Sequence, residues 1–173
     1  MPSESYTIRR ARPSDLALLP VIERAAAAQF RSTPYANLAD DDLISAEIDL
    51  DHEYVWLVVD GHDRPVGFAI VHLLDISAHL HEIDVHPQYA RQGLGRRLIE
   101  HIADWARARG FTALTLTTFS DVPWNGPYYQ RLGFRNLDLA TLSSALQAVR
   151  QGEAEAGLPM TKRICMQLDL LGH

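Results

Sequence analysis

Leu80-His81-Glu82-Ile83-Asp84-Val85-His86-Pro87-Gln88-Tyr89-Ala90-Arg91-Gln92-Gly93-Leu94-Gly95-Arg96-Arg97-Leu98-Ile99 reads as a strand, a glycine loop and the start of a helix. The strand alternates until Pro87, which has no N–H to give to a ladder. Gly93 and Gly95 then lead into an apolar-periodic helix. A helix entered through glycines presents unpaired N–H groups and the positive end of its dipole. Neither glycine has a Cβ to hold a ligand off the backbone, and Arg91, Arg96 and Arg97 add positive charge, so the stretch suits a pyrophosphate. A short G-x-G also occurs in ordinary turns, and the spacing alone leaves the ligand open. The dinucleotide fingerprint G-x-G-x-x-G fails because its last position holds Leu98, and no G-x-x-x-x-G-K-[ST] occurs, so Rossmann and P-loop readings fail.

The segment from Val85 to Leu98 resembles the acyl-CoA-binding motif of the GNAT N-acetyltransferase superfamily, and Tyr128-Tyr129-Gln130-Arg131-Leu132-Gly133-Phe134 resembles its downstream Tyr-x-x-Leu-Gly-Phe motif. The two stand in the family's order. The resemblance implies an α/β (α+β) fold: one domain over residues 1–173, with a mixed, mostly antiparallel sheet of about seven strands flanked by helices. It also implies acetyl-CoA as co-substrate, held by Arg91, Gln92, Gly93, Leu94, Gly95 and Arg96, with Asn125 as a further contact. Backbone N–H groups at Ile83, Asp84 and Val85, freed where the strand splays from the next one, would meet the thioester carbonyl. One position departs from the pattern. The family places Arg or Gln three residues before the first glycine, where this chain has Ala90, with Arg91 beside it.

The chain has 173 residues, 47% hydrophobic and 22% charged, with a formal net charge of −6. That length fits one globular domain. The acidic balance argues against non-specific nucleic-acid binding and suits a positively charged substrate. Cys165 is the only cysteine, so no internal disulfide forms. Residues Met1–Tyr6 lack the layout of a signal peptide, and no apolar run approaches the roughly 18 residues of a membrane span. A cytoplasmic protein without membrane attachment is expected.

Tyr6-Thr7-Ile8-Arg9-Arg10 alternates as a first strand, and Pro13-Ser14-Asp15 caps an apolar-periodic helix running to about Phe30. A loop follows, and Asp40-Asp41-Asp42 places negative charge ahead of a second short helix through about Leu50. The β-rich runs from Tyr54 to Val59 and from Val66 to Val71 flank Asp60-Gly61-His62-Asp63-Arg64, a hairpin signature. A helix from Leu94 to Arg109 is stopped by Gly110. The residues from Thr112 to Thr118 form a strand, Tyr129 sits in a short helix, and a sixth strand follows Phe134. An amphipathic helix over 141–151 and a last strand from Arg163 to Leu170 complete the chain. Cys165 reads as a small buried hydrophobe.

His79 and His81 stand two apart on a strand, so both imidazoles leave one face while Leu80, Glu82 and Asp84 leave the other. Taken bare, they are packed histidines, metal ligands or a general base. A metal lacks a third ligand in reach, since Glu82 points away and His86 lies at the strand's far end, so no metal is expected. Their place ahead of the glycine loop favours the base, because an attacking amine must lose a proton that histidine can accept.

Ala78-His79-Leu80-His81, with Val85-His86 and Arg91-Gln92-Gly93, is similar to the central strand of the arylalkylamine (serotonin) N-acetyltransferases, whose paired histidines serve amine deprotonation. By that match His79 and His81 carry the base role, with Glu82 as the carboxylate alternative. Tyr129 matches the family tyrosine that protonates the leaving thiolate. Phe30 and Tyr35 match the region that walls the acceptor pocket. The implied function is acetyl transfer to a primary amine of a small molecule by direct attack in a ternary complex. The alternatives are acetylation of a peptide N-terminus or lysine, and a non-catalytic acyl-CoA sensor. Family members are often homodimers, and the apolar last strand offers an edge for pairing between subunits.

Overall fold

The computed structural model describes Ser5–Gly172; residues 1–4, part of the stretch read for a leader, lie outside the described residues. Seven strands, β1 (Thr7–Arg10), β2 (Tyr54–Val59), β3 (Pro65–Leu74), β4 (Ser77–Val85), β5 (Ala113–Phe119), β6 (Arg135–Asn136) and β7 (Arg163–Asp169), form one sheet in the order β1-β2-β3-β4-β5-β7-β6. Four α-helices accompany them: α1 (Leu19–Ala27), α2 (Leu94–Ala108), α3 (Gly126–Arg131) and α4 (Ser144–Glu155). The sheet is mixed because β4 runs parallel to β5, whereas β1–β2, β2–β3, β5–β7 and β6–β7 are antiparallel. The chain divides into two compact units. One holds the residues up to Val71 with Glu82–Ile102; the other holds His72–His81 with the residues from Ala103 on.

In the first unit the hairpin between β2 and β3 is closed by Asp60, whose Oδ1 accepts the N–H groups of His62 at 2.8 Å and Arg64 at 3.0 Å. Leu19 and Ile22, one turn apart on α1, pack with Val55, Leu57 and Val59 of β2 and Phe68 and Ile70 of β3. Period two on the strands thus meets the helical stripe, and the cluster is dry. The single helix expected between Pro13 and Phe30 is three pieces: 3-10 segments at Pro13–Leu18 and Ala28–Ser32 bracket α1. Pro20 in the first turn of α1 is the cause at the front, since it cannot donate to an earlier carbonyl. The second expected helix is also broken. Its residues are extended at Asp41 and Leu43 and then form a 3-10 turn at Ile44–Glu47, while another 3-10 turn, Ala36–Asp40, lies mostly in the stretch read as a loop.

In the second unit β5 and β7 pair over seven residues, from Ala113↔Asp169 to Phe119↔Arg163. The parallel pairing of β4 with β5 takes in residues 77–80 and 113–116. Ser143 caps α4 by accepting the Leu146 N–H, and Leu142 and Leu146 pack on Cys165 with Leu74 and Leu137. Cys165 is fully buried, as its reading requires. Among the described residues no helix is long and apolar enough to cross a membrane.

Candidate active site

The glycine loop belongs to the first unit. Pro87–Tyr89 forms a 3-10 turn after β4, with Tyr89 N–H donating to the His86 carbonyl at 2.8 Å and Gln88 N–H donating to His86 Nδ1 at 3.2 Å. Arg91 and Gly93 then adopt left-handed backbone, φ 62° and φ 74°. A Cβ on Gly93 would meet nothing within 4 Å, so the position asks for glycine by conformation rather than by space. The helix takes hold where Arg97 N–H donates to the Gly93 carbonyl at 3.0 Å. The N–H groups from Gly93 to Arg96 therefore precede its hydrogen-bond ladder and suit a phosphate.

The arginines divide the work. Arg91 is exposed, Arg96 pairs with Glu100 at 2.8 Å, and Arg97 donates to the Tyr6 carbonyl at 3.1 Å. Gln92 points back at its own loop, 3.4 Å from the Tyr89 carbonyl. The strand that feeds this loop lies close to β3, because a Cβ on Gly67 would stand 3.0 Å from the Asp84 carbonyl.

On that strand Glu82 and Asp84 meet Glu23 of α1, with carboxylate oxygens within 4.8 Å of one another. Glu23 is buried and its two oxygens accept the N–H groups of Ile44 at 2.9 Å and Ser45 at 2.7 Å. Asp84 Oδ2 is shut off from solvent and makes no hydrogen bond. Burial first, then the neighbouring Glu82 and Glu23, push the Asp84 carboxyl well above its ordinary range. The sequence reading placed Glu82 and Asp84 on one face and gave no signal for Glu23, which lies about 60 residues away.

The histidines lie in the second unit. His79 is 1% exposed and its Nδ1 stands 2.9 Å from Thr115 Oγ1. Burial, then the charges of His81, His72 and Arg163, lower its pKa to about 3, so it is neutral at physiological pH. His81 is exposed and its ring stacks on His72, with centroids 4.3 Å apart. Further along β5, Thr117 Oγ1 donates to Glu153 Oε2 at 2.6 Å and accepts from Arg163 Nη2 at 2.9 Å, and Arg163 also pairs with Glu153. Thr115 and Thr117 alternate visibly in the sequence. Glu153 and Arg163 come from the last helix and strand and carried no signal there.

Tyr129, in α3, is 9% exposed and packs edge-on against Phe134, with centroids 5.8 Å apart, and against Tyr128 at 5.4 Å. The loop before it is closed by Asn125, whose Oδ1 accepts the Phe119 N–H at 3.5 Å and whose carbonyl accepts the Tyr129 N–H at 3.0 Å. Phe30 and Tyr35 lie in the first unit; Phe30 is half-buried, and Tyr35 is buried at 8% exposure.

Residues 21–134 match the acetyltransferase (GNAT) family model. The [ribosomal protein bS18]-alanine N-acetyltransferase of Salmonella typhimurium is 33% identical over 103 residues, which is 60% of this chain and 68% of that protein. The enzyme of the same name from Escherichia coli K12 is 40% identical over 81 residues, 47% of this chain and 55% of its own, so the match spans about half of that relative. The PaiA N-acetyltransferase of Thermoplasma acidophilum, solved in complex with coenzyme A, superposes with a TM-score of 0.70 at 14% identity, covering 95% of this chain and 99% of that one. With a family match over residues 21–134, about two thirds of its length, the chain belongs to the GNAT family, the acetyl-CoA-dependent N-acetyltransferases.

Proposed function

We propose that this enzyme acetylates the α-amino group at the N-terminus of a protein, by direct attack on acetyl-CoA in a ternary complex. The observation that carries this reading is that the curated relatives, matched over 47–60% of this chain, share the name of a ribosomal-protein alanine N-acetyltransferase. The chemistry of the histidine wall agrees with it. An α-amine has a pKa near 8, against about 10.4 for a lysine side chain, so a good share of it is neutral at physiological pH. Such an amine needs only a weak proton acceptor, and burial makes His79 a weak one.

In this reading the N–H groups from Gly93 to Arg96 and the exposed Arg91 hold the pyrophosphate, and acetyl-CoA supplies an activated acyl group. Arg91 takes the part that the family gives to the position held here by Ala90. The pair His79 and His81 serves the amine as it loses its proton, with Glu82 as the carboxylate alternative. Tyr129 supplies a proton to the departing sulfur. Ile83, Asp84 and Val85 offer backbone to the acyl end, and Phe30 and Tyr35 shape the acceptor side.

The test is thiol release from acetyl-CoA with a peptide bearing a free N-terminal alanine. Beside it run the same peptide with its α-amine blocked and a lysine present, and a panel of arylalkylamines and polyamines. Turnover of the first peptide alone is expected. Turnover confined to the small amines overturns the protein-substrate reading and restores the small-molecule one.

A further inference from the structure

Glu23 of α1 and Glu82 and Asp84 of β4 bring three carboxylate oxygens to within 4.8 Å of one another, all in the first unit. Buried carboxylates are normally set beside a positive partner, because an uncompensated charge loses its hydration with nothing in return. Here burial, Glu82 and Glu23 are what act on the Asp84 carboxyl, and no cation is among them. Arg24, next to Glu23 in the chain, gives its guanidinium to the carbonyls of Ala39 and Asp41 instead. Two further atoms are left over. Asp84 Oδ2 and Ser45 Oγ are both shut off from solvent without a hydrogen bond, and Ser45 is 3% exposed. Ser45 belongs to the same cluster, since its N–H donates to Glu23 Oε1 at 2.7 Å. The spacing selects the guest. At an outer separation of 4.8 Å, a point shared by three oxygens stands about 2.8 Å from each, the length of a charge-assisted N–H···O bond. A primary ammonium carries three N–H donors, one for each carboxylate. Calcium and magnesium ask for about six or more oxygens, which is more than these side chains supply.

We propose that Glu23, Glu82 and Asp84 seat the ammonium group of the acceptor, with the Ser45 hydroxyl as a fourth oxygen beside Glu23. The assignment deepens the reading of N-terminal acetylation and rests on it. An α-amine with a pKa near 8 is still mostly protonated at neutral pH, so the form that first meets the protein is a cation. Asp84 also lies in the Ile83–Val85 backbone given to the acyl end, and an amine must come within about 3–3.5 Å of the carbon it attacks. A seat on the side chains of that stretch therefore delivers the nitrogen to the thioester. A neutral end group of the same shape finds nothing there to offset the carboxylates. Glu82 is half-buried and keeps part of its surface in reach of an arriving chain end.

The probes are alaninamide and propionamide, which differ only in the ammonium group, titrated into the full chain saturated with coenzyme A and followed by ¹⁵N NMR. The backbone N–H groups of Ile44 and Ser45 report the cluster, because they donate to Glu23. Alaninamide is expected to shift those two signals and that of Asp84, and propionamide to leave them in place. Asp84→Asn and Glu82→Gln each keep the size of the side chain and remove a charge, and each is expected to weaken alaninamide binding about tenfold. With the alanine peptide as acceptor, Asp84→Asn is expected to raise KM about tenfold as well. Equal shifts from the two probes overturn the seat, as does alaninamide binding unchanged in both variants. So does movement of the same signals by calcium or magnesium ions and not by alaninamide. Turnover confined to small amines, with the alaninamide shifts present, overturns the protein-substrate reading alone and supports the seat for those amines.

Discussion

Glu23 on α1 accepts the N–H of Ser45 at 2.7 Å, and its second oxygen accepts that of Ile44 at 2.9 Å. A side chain from one element thus caps a 3-10 turn 21 residues further on. The segment after Asp40 is extended at Asp41 and Leu43, and the turn at Ile44–Glu47 takes its cap from this buried carboxylate rather than from the acidic triplet. Glu23→Ala strands two donors, one of them buried, and is expected to cost about 3 kcal/mol. The melting midpoint should then fall by roughly 6–12 °C. Glu23→Gln keeps one acceptor oxygen and should lose about half of that. Equal melting of the parent and the alanine variant would remove the cap from the account.

Asp84 predicts the pH dependence of stability. Its pKa is raised well above 3.8 by burial and by Glu82 and Glu23. The folded state then keeps a proton that the unfolded chain releases, so stability declines as pH rises from about 4 towards the raised value. Asp84→Asn removes the titration. The variant should melt higher than the parent at pH 7, and its midpoint should stay level over the interval where that of the parent falls. Parallel curves would show that the carboxyl is not held protonated.

The parts of the fold that were legible in the sequence are those written in consecutive residues. The strand through Val85, the turn at Pro87 and the glycine loop are local, and the hairpin at Asp60 to Arg64 is a matter of five neighbours. The short helix with Tyr129 is bracketed by Pro123, Pro127 and Gly133, each a stop or start that needs no tertiary partner. What the sequence misplaced depends on partners far along the chain. Asp40-Asp41-Asp42 looks like a helix start, but the chain is extended at Asp41 and Leu43 and the turn that follows is capped by Glu23 from α1. The role of His79 cannot be read from its spacing to His81 alone, because burial, then the charges of His81, His72 and Arg163, lower its pKa, and its hydrogen-bond partner Thr115 arrives from another strand.

Gly93 tests the glycine loop. Its φ of 74° lies where a side chain with a Cβ loses roughly 1–2 kcal/mol, although the space beside it is open. Gly93→Ala is therefore expected to weaken acetyl-CoA binding by about tenfold, the loop relaxing away from the geometry that aims its N–H groups. The melting midpoint should drop by only a few degrees. Calorimetric titration with acetyl-CoA checks it; unchanged affinity would show that the Gly93 conformation does not set the phosphate site.

Tyr129→Phe separates packing from chemistry. The ring is buried against Phe134 and Tyr128, and phenylalanine keeps those edge contacts, so the melting midpoint should stay within a few degrees. Its hydroxyl is the part assigned to the leaving sulfur. A phenol near pKa 10 is protonated at neutral pH and can give its proton as the C–S bond breaks. An alkyl thiol has a pKa near 8.5 and leaves tolerably as the anion, so the benefit of the acid is modest for this class of catalyst. We expect kcat to fall by about 10- to 100-fold at pH 7 with the KM for acetyl-CoA little changed. The deficit should stay level with pH below the ordinary phenol range, where the acid keeps its proton, and shrink above it. A variant with full kcat across that range would leave Tyr129 a packing residue, and the sulfur would take its proton from water.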